Sequence, residues 1–152
     1  MHGTVLEEYI FGCILLLANK LQIWGDGLLD DLTLKQWFLL MLISKMKTEN
    51  PTIKNISDYS GTSRQNTKKM VEQLAKKEYV RIDKSGGDAR ALSVSLTNKA
   101  WEYFSGNEKK AADSVSRLFS KVDGNDLMAT VQTMNSLLEA LGHEPLDLMV
   151  SK

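Results

Sequence analysis

One short stretch of the chain concentrates side chains of the types that can hydrogen-bond to nucleic acid. Arginine pairs with the guanine edge, asparagine and glutamine pair with adenine, and lysine neutralises phosphate. The residues of this stretch are Thr62, Ser63, Arg64, Gln65, Asn66, Lys68 and Lys69. A cationic helix face is more often only a solvated surface. The elements around the stretch must therefore decide between the two interpretations.

The first of these elements is a pair of short helices, expected at 53–60 and 63–77. Ile53, Ile56 and Tyr59 recur at helical spacing, and Gly61 then interrupts the pattern. Two helices joined by a glycine-containing turn are typical of a helix-turn-helix. Within the second helix, four residues are expected to face inward. They are Thr67, Met70, Val71 and Leu74.

The start of the second helix carries capping residues. Thr62 or Ser63 is expected to cap it, and Gln65 stands three residues after Thr62, which predicts a capping box. Thr33 and Gln36 form the same pattern, and they predict the start of another helix at 33–47.

A two-stranded hairpin is predicted after the second helix, with strands at 80–83 and 91–96, because apolar and polar residues alternate there. The Gly86-Gly87 pair allows the chain to reverse. Lys84 and Arg90 are the strong cations of the loop, and Asp88 is expected to hold its shape. A thin basic arm of this kind fits a DNA minor groove, where negative potential attracts arginine.

Charge is uneven along the chain. The whole sequence has 19 basic and 19 acidic side chains, but residues 62–90 contain eight basic residues and four acidic ones. A positive field over this segment predicts binding to duplex DNA with a strong dependence on salt.

Both ends of the chain have apolar helical patterns, expected at 4–23, 98–121 and 126–141. They offer more apolar surface than a small DNA-binding lobe needs, and their spacing near 3.5 residues suits helix pairing. We therefore expect a homodimer interface built from both ends. Its residues are Leu6, Tyr9, Ile10, Leu118, Val122, Leu127, Val131, Met134, Leu138 and Leu141.

Composition and motifs exclude several classes of protein. With 43% apolar and 25% charged residues, the 152-residue chain is expected to be one globular domain. A single cysteine and no recognisable secretion signal favour a cytoplasmic location. The apolar run Tyr9–Ala18 is too short to span a membrane. His2 and His143 lie far apart, and glycine-rich phosphate loops and nucleophile motifs are absent from the sequence, so we expect no enzyme, metal or cofactor.

Together these motifs resemble the MarR family of winged-helix transcriptional regulators. The similar segments are LTLKQWFLLMLI at 32–43, SRQNTKKMVEQLAKKEYV at 63–80, and Asp88-x-Arg90 leading to Leu96-Thr97. The resemblance implies a mainly α fold with a small β-hairpin wing. It places a DNA-binding lobe at 33–97 and dimerisation helices at 1–32 and 98–152.

The family likeness also implies a function. It suggests a bacterial homodimer that binds a pseudo-palindromic operator, commonly a repressor released by a small phenolic or anionic effector or by oxidation. Three residues depart from the family pattern: Glu78 and Ala100 replace frequent glycines, and Ala89 replaces a frequent basic residue in the wing. Glu78 must replace or strain the left-handed helix cap that glycine provides.

The same resemblance implies an effector pocket between the dimerisation helices and the DNA-binding lobe. On this chain its residues would be Tyr9, Trp24, Trp37, Met41 and Trp101. Aromatic and methionine side chains at helical spacing are more often part of a core, so that alternative stays open.

Cys13 lies in a run similar to that of the family's peroxide sensors, which suggests a thiol-based oxidation sensor. Its apolar neighbours disfavour the reactive thiolate and favour an inert, buried cysteine instead. A further alternative is a winged-helix protein-interaction or anti-repressor subunit with weakened DNA binding, which Ala89 and the zero net charge favour.

Overall fold

The computed structural model describes residues 3–84 and 91–146. The order of elements along the chain is α1 (Gly3–Asp26), α2 (Leu34–Lys45), α3 (Ile53–Ser60), α4 (Arg64–Lys76), β1 (Val80–Lys84), β2 (Leu92–Leu96), α5 (Asn98–Leu118) and α6 (Gly124–Ala140). The predicted fold class, mainly α with a β-hairpin wing, is confirmed.

Internal packing divides the chain into two compact units, Met1–Met41 and Leu42–Lys152, with the division inside α2. In the first unit, the Asp26 carboxylate accepts a hydrogen bond from the backbone N–H of Leu34 at 2.7 Å. A Cβ on the buried Gly25 would lie 2.7 Å from the Leu34 side chain, so a larger residue there would require that side chain to shift.

The capping box predicted at Thr33 is confirmed. The Thr33 N–H donates to the Gln36 side chain at 3.1 Å, and the Gln36 N–H donates to the Thr33 hydroxyl at 3.2 Å. Since Thr33 is the cap, α2 begins one residue later than the predicted 33–47 and ends at Lys45.

Helix α3 matches its predicted bounds. A capping box that sequence reasoning missed, between Thr52 and Asn55, starts the helix. Gly61 ends it with a left-handed backbone, φ 68°, a conformation that glycine adopts without a steric cost. The predicted role of Gly61 as the turn residue is thus confirmed.

The capping box predicted between Thr62 and Gln65 is wrong. Ser63 is the N-cap, and its hydroxyl accepts from the N–H of Asn66 at 3.2 Å. Thr62 lies one residue further out, where its hydroxyl accepts instead from the Asn66 side-chain amide at 3.4 Å. The predicted box fails because Ser63, and not Thr62, is the N-cap. The residue three positions after the cap is then Asn66 and not Gln65.

The end of α4 has the hydrogen bonds of a Schellman motif. Tyr79 N–H donates to Leu74 O at 2.9 Å, and Glu78 N–H donates to Ala75 O at 3.0 Å. Glu78 has φ 63°, so this non-glycine residue adopts the left-handed conformation that the family pattern assigns to glycine. The Thr97 hydroxyl donates to the carbonyl oxygens of Glu78 and Tyr79, which ties this corner to the start of α5.

Strands β1 and β2 pair antiparallel, with Val80 opposite Leu96 and Lys84 opposite Leu92. An isolated bridge joins Thr52 to Ser93, and Val94 N–H donates to Pro51 O at 2.9 Å. The segment that leads into α3 is therefore hydrogen-bonded to the wing strand β2.

The buried apolar side chains of the second unit come from α2, the helix-turn-helix, the wing strands and the start of α5. They are Leu42, Ile43, Ile56, Val71, Leu74, Tyr79, Val80, Val94 and Ala100. One face of α4 packs against this core, and the opposite face of the helix is exposed.

Helices α5 and α6 are capped by Thr97 and Asp123. Helix α5 is shorter than the predicted 98–121, because a turn follows Phe119. Helix α6 begins two residues before the predicted 126–141, because Asp123 caps it through the N–H of Asn125.

Candidate nucleic-acid interface

The exposed face of α4 presents most of the side chains that the sequence assigned to nucleic acid. Arg64, Gln65, Asn66, Lys68 and Lys69 are all exposed. The structure thus brings these donors to one face of one helix. Ser63 is exposed at the cap, and Thr62 is half-buried beside it.

The opposite face of α4 anchors the helix. Thr67, Val71 and Leu74 are buried, as predicted, and Met70 is half-buried. The Thr67 hydroxyl donates to the Ser63 carbonyl at 3.0 Å, so this buried polar group is satisfied. The buried face anchors the helix, and its buried polar group is satisfied within α4. The exposed donors are therefore not needed for hydrogen bonds to the core.

The first turn of α4 adds to the positive potential. Helix N-termini carry about half a positive charge from aligned peptide dipoles. No acidic residue occupies the first turn of α4, whose residues are all described. Arg64 and Gln65 therefore begin the helix at the end that attracts anions.

A groove of about 550 Å³ lies beside this first turn. Its walls come from the start of α3, the start of α4 and the residues at the beginning of β2. Lys54, Arg64 and Lys68 are its cations, and none of the described residues that line it is acidic. The groove is open to solvent.

Each of the two lysines of this groove lies near a carboxylate on its own helix. Asp58 accepts from Lys54 Nζ at 2.6 Å, and Glu72 lies 3.9 Å from Lys68 Nζ. The hydrogen bond from Lys54 lowers the pKa of Asp58 most, and the charges of Lys54 and Arg64 lower it further, while burial opposes them. Asp58 therefore stays ionised and holds Lys54.

Sequence reasoning missed Lys54 and Thr52 as members of this surface. The signal was the spacing of Lys54 and Asp58, four residues apart on one helix face. That spacing alone indicates only a solvated ion pair. The bridge between Thr52 and Ser93 brings the start of α3 to the wing strand, and no sequence pattern signals that pairing.

The wing is only partly described. Lys84 is exposed at the end of β1. Asp88 and Arg90, together with the loop glycines and Ala89, lie outside the described residues. Their assigned roles in DNA binding therefore stay predictions.

The residues assigned to an effector pocket fall in different environments. In the first unit, Trp24, Trp37 and Met41 are half-buried, and Tyr9 is 72% exposed. In the second unit, Trp101 is half exposed and packs edge-on against Phe104, with ring centroids 5.9 Å apart. The pocket stays a prediction.

Cys13 is half-buried and its thiol is hydrogen-bonded to Tyr9, four residues earlier on α1. This hydrogen bond raises the pKa of the Tyr9 hydroxyl, and the adjacent thiol charge and slight burial act in the same direction. The choice between a reactive and an inert cysteine stays open.

Most side chains assigned to the dimer interface are exposed in the single chain. Leu127 and Leu138 are half-buried. The exposed ones are Leu6, Tyr9, Ile10, Leu118, Val122, Val131, Met134 and Leu141. Apolar residues exposed in such number are typical of surfaces that a partner covers.

Residues 3–84 and 91–146 contain no cluster of side chains that could hold a metal ion. Every helix in these two ranges is too short or too polar to span a bilayer.

Comparison with known proteins gives one family match. Residues 30–91, which include α2, α3, α4 and the hairpin strand β1, match the model of the MarR family. No curated protein matches the chain.

Solved structures share the fold over most of the chain. A MarR transcriptional regulator from Methanosarcina mazei Go1 has TM-score 0.75 and 21% identity, covering 88% of this chain and 96% of its own. The S. aureus MepR–DNA complex has TM-score 0.76 and 14% identity, covering 89% and 97%. S. aureus MarR in complex with salicylate and kanamycin has TM-score 0.70 and 18% identity, covering 90% and 93%.

Proposed function

We propose that the chain belongs to the MarR family of winged-helix proteins, because the family model matches residues 30–91 and solved MarR structures share its fold over most of its length. From this premise we propose that it is a dimeric, sequence-specific DNA-binding regulator of transcription, acting in the cytoplasm as a repressor. Helix α4 enters the major groove of a pseudo-palindromic operator, and the wing enters the adjacent minor groove.

The exposed face of α4 is the observation that carries this proposal. Gln65, Asn66 and Lys69 are exposed on a helix whose other face is buried in the core. Amide and ammonium groups of this kind hydrogen-bond to base edges in the major groove. The DNA complex of the similarly folded S. aureus MepR supports the assignment.

The wing supplies a second contact in the proposed complex. Strands β1 and β2 pair antiparallel, and Lys84 lies opposite Leu92 at the last described pair of the hairpin. We assign Lys84 and Arg90 to the DNA backbone and minor groove, with Asp88 holding the loop.

Dimerisation is the second part of the proposal. A palindromic site is read by two recognition helices about 34 to 36 Å apart, one duplex turn. The exposed apolar side chains of α1, α5 and α6 support an interface with a second copy of the chain. DNA affinity then depends on association of the two copies.

Release by a small effector is the third part. The salicylate complex of S. aureus MarR, with the same fold, supports a small aromatic or anionic ligand. We place this ligand near Tyr9, Trp24, Trp37 and Met41, which all belong to the first unit. A ligand shifts the dimer away from DNA only as far as it prefers the non-binding conformation.

The rival interpretation, a protein-interaction subunit with weakened DNA binding, rests on the equal numbers of basic and acidic residues. Retention of the full chain on immobilised nonspecific duplex, eluted with rising salt, separates the two. A regulator is retained and elutes late, because its positive charge is local. Failure to bind duplex at low salt would support the interaction subunit and refute our proposal.

A further inference from the structure

We propose that the groove beside α4 binds a phosphate of the DNA backbone, and that Lys54, on α3, is a DNA-binding residue outside the recognition helix. Lys54 acts there with Arg64 and Lys68, and Asp58 restrains it in the free protein. This inference rests on the proposed function and adds a defined contact to it.

The composition of the groove points to an anion. Three cations line it, and none of the described residues among its walls is acidic. The first turn of α4, which carries the positive end of the helix dipole, lines the same groove through Arg64 and Gln65. A phosphate diester is the anion that duplex DNA presents at regular intervals beside a helix in its major groove.

The walls of the groove are held together before any ligand arrives. Thr52 at the start of α3 is bridged to Ser93 in β2, and the capping box with Asn55 fixes its backbone. Ser63 caps α4 through the N–H of Asn66. Little ordering is then needed when an anion binds, which favours affinity.

This placement separates two roles on α4. Arg64 and Lys68 line the groove with Lys54, and backbone contacts of this kind position a protein without reading sequence. Gln65 also lines the groove, whereas Asn66 and Lys69 do not. Arg64, which the sequence suggested as a guanine reader, is thereby assigned to phosphate.

Asp58 gives the groove a built-in competitor. Its carboxylate lies 2.6 Å from Lys54 Nζ, much closer than Glu72 lies to Lys68 at 3.9 Å. A phosphate must share or displace this contact in order to engage Lys54. Neutralising Asp58 therefore frees Lys54 for the backbone, whereas neutralising Glu72 changes less.

The test measures binding of the full chain to nonspecific duplex by fluorescence anisotropy across a salt series. Lys54→Ala is expected to weaken binding about fivefold at low salt and to reduce the salt slope by about one unit. Lys54→Arg should retain the slope. Lys121→Ala, an exposed lysine in the turn after α5, is the matched control and should change neither quantity.

The opposite change sharpens the test. Asp58→Asn should tighten binding and steepen the salt slope, and Glu72→Gln should do so less. A duplex with neutral methylphosphonate linkages should lose its sensitivity to Lys54→Ala. Inorganic phosphate alone, titrated by calorimetry, distinguishes a site for free anion from a site for the DNA backbone.

The outcomes separate this inference from the proposed function. Wild-type binding with an unchanged slope in Lys54→Ala, or no tightening in Asp58→Asn, overturns the groove assignment alone. Saturable binding of inorganic phosphate with unaltered duplex affinity in Lys54→Ala also overturns it. Absence of duplex binding by the wild type refutes the proposed function itself.

Discussion

Helices α1 and α4 differ in the burial of their apolar side chains. In α4, Val71 and Leu74 are fully buried by the rest of the same chain, and the polar face is exposed. In α1, described from Gly3 to Asp26, Gly25 is the one buried residue, while apolar side chains such as Phe11 and Leu16 are exposed.

This contrast indicates that α4 is stabilised by the folding of its own chain, whereas α1 has apolar surface left for association with another chain. Helix α4 is completed by its own chain, so its exposed donors are available to a ligand. Helix α1 is apolar on most of its surface, and such helices are stable when they are buried. In the dimer that we propose, a second copy of the chain covers the apolar surface that α1 leaves exposed.

The largest expected effect contrasts one leucine of α4 with one isoleucine of α1. Leu74→Ala should lower the free energy of unfolding by about 3 kcal/mol, because it leaves a cavity in the core. Ile10→Ala should instead raise the dimer dissociation constant. Urea unfolding and sedimentation measure the two effects. A dimer unaffected by Ile10→Ala would remove that residue from the interface.

The next effect concerns α6 and DNA affinity. Val131→Asp places a charge on the expected interface and should dissociate the dimer, which weakens operator binding about 100-fold through lost avidity. Gln132→Asp, an exposed polar neighbour on the same helix, is the control. Light scattering and anisotropy give the results. Equal behaviour of the two variants would contradict an interface at Val131.

A smaller effect divides the face of α4 itself. Gln65→Ala should relax preference at one base pair by about 1 to 3 kcal/mol. Arg64→Ala should weaken binding uniformly across sequences, because we propose that its partner is phosphate. Competition among single-base operator variants measures both. Uniform weakening by Gln65→Ala would assign it to the backbone as well.

The smallest effect is in the backbone at the end of α4. Glu78→Gly should stabilise the fold by about 0.5 to 1 kcal/mol, since glycine relieves the left-handed strain at some cost in unfolded-state entropy. Lys77→Gly, at φ −87°, should destabilise it by about as much. Thermal unfolding compares the two variants. If Glu78→Gly destabilises the fold, the Glu78 side chain must contribute more to the free energy of unfolding than the left-handed backbone strain costs.

Local patterns predicted most elements of the fold. The Thr33–Gln36 capping box, the break at Gly61 and the alternation in the hairpin are short-range signals, and each is confirmed. The Thr62–Gln65 box failed because two adjacent residues can both cap a helix, and sequence alone does not rank them.

The candidate site was predicted less completely, for a physical reason. The donors of α4 lie close together in the sequence, and so the sequence pattern was sufficient to identify them. Lys54 joins them through the pairing of Thr52 with Ser93, two residues 41 positions apart. Contacts between distant segments leave no periodic trace in a single sequence.

Sedimentation of the full chain with a duplex selected from a random pool tests the central claim most directly. The account predicts two chains on each duplex, with an affinity that falls steeply as salt rises. A chain that sediments as a single copy and leaves the duplex free in dilute buffer would contradict it.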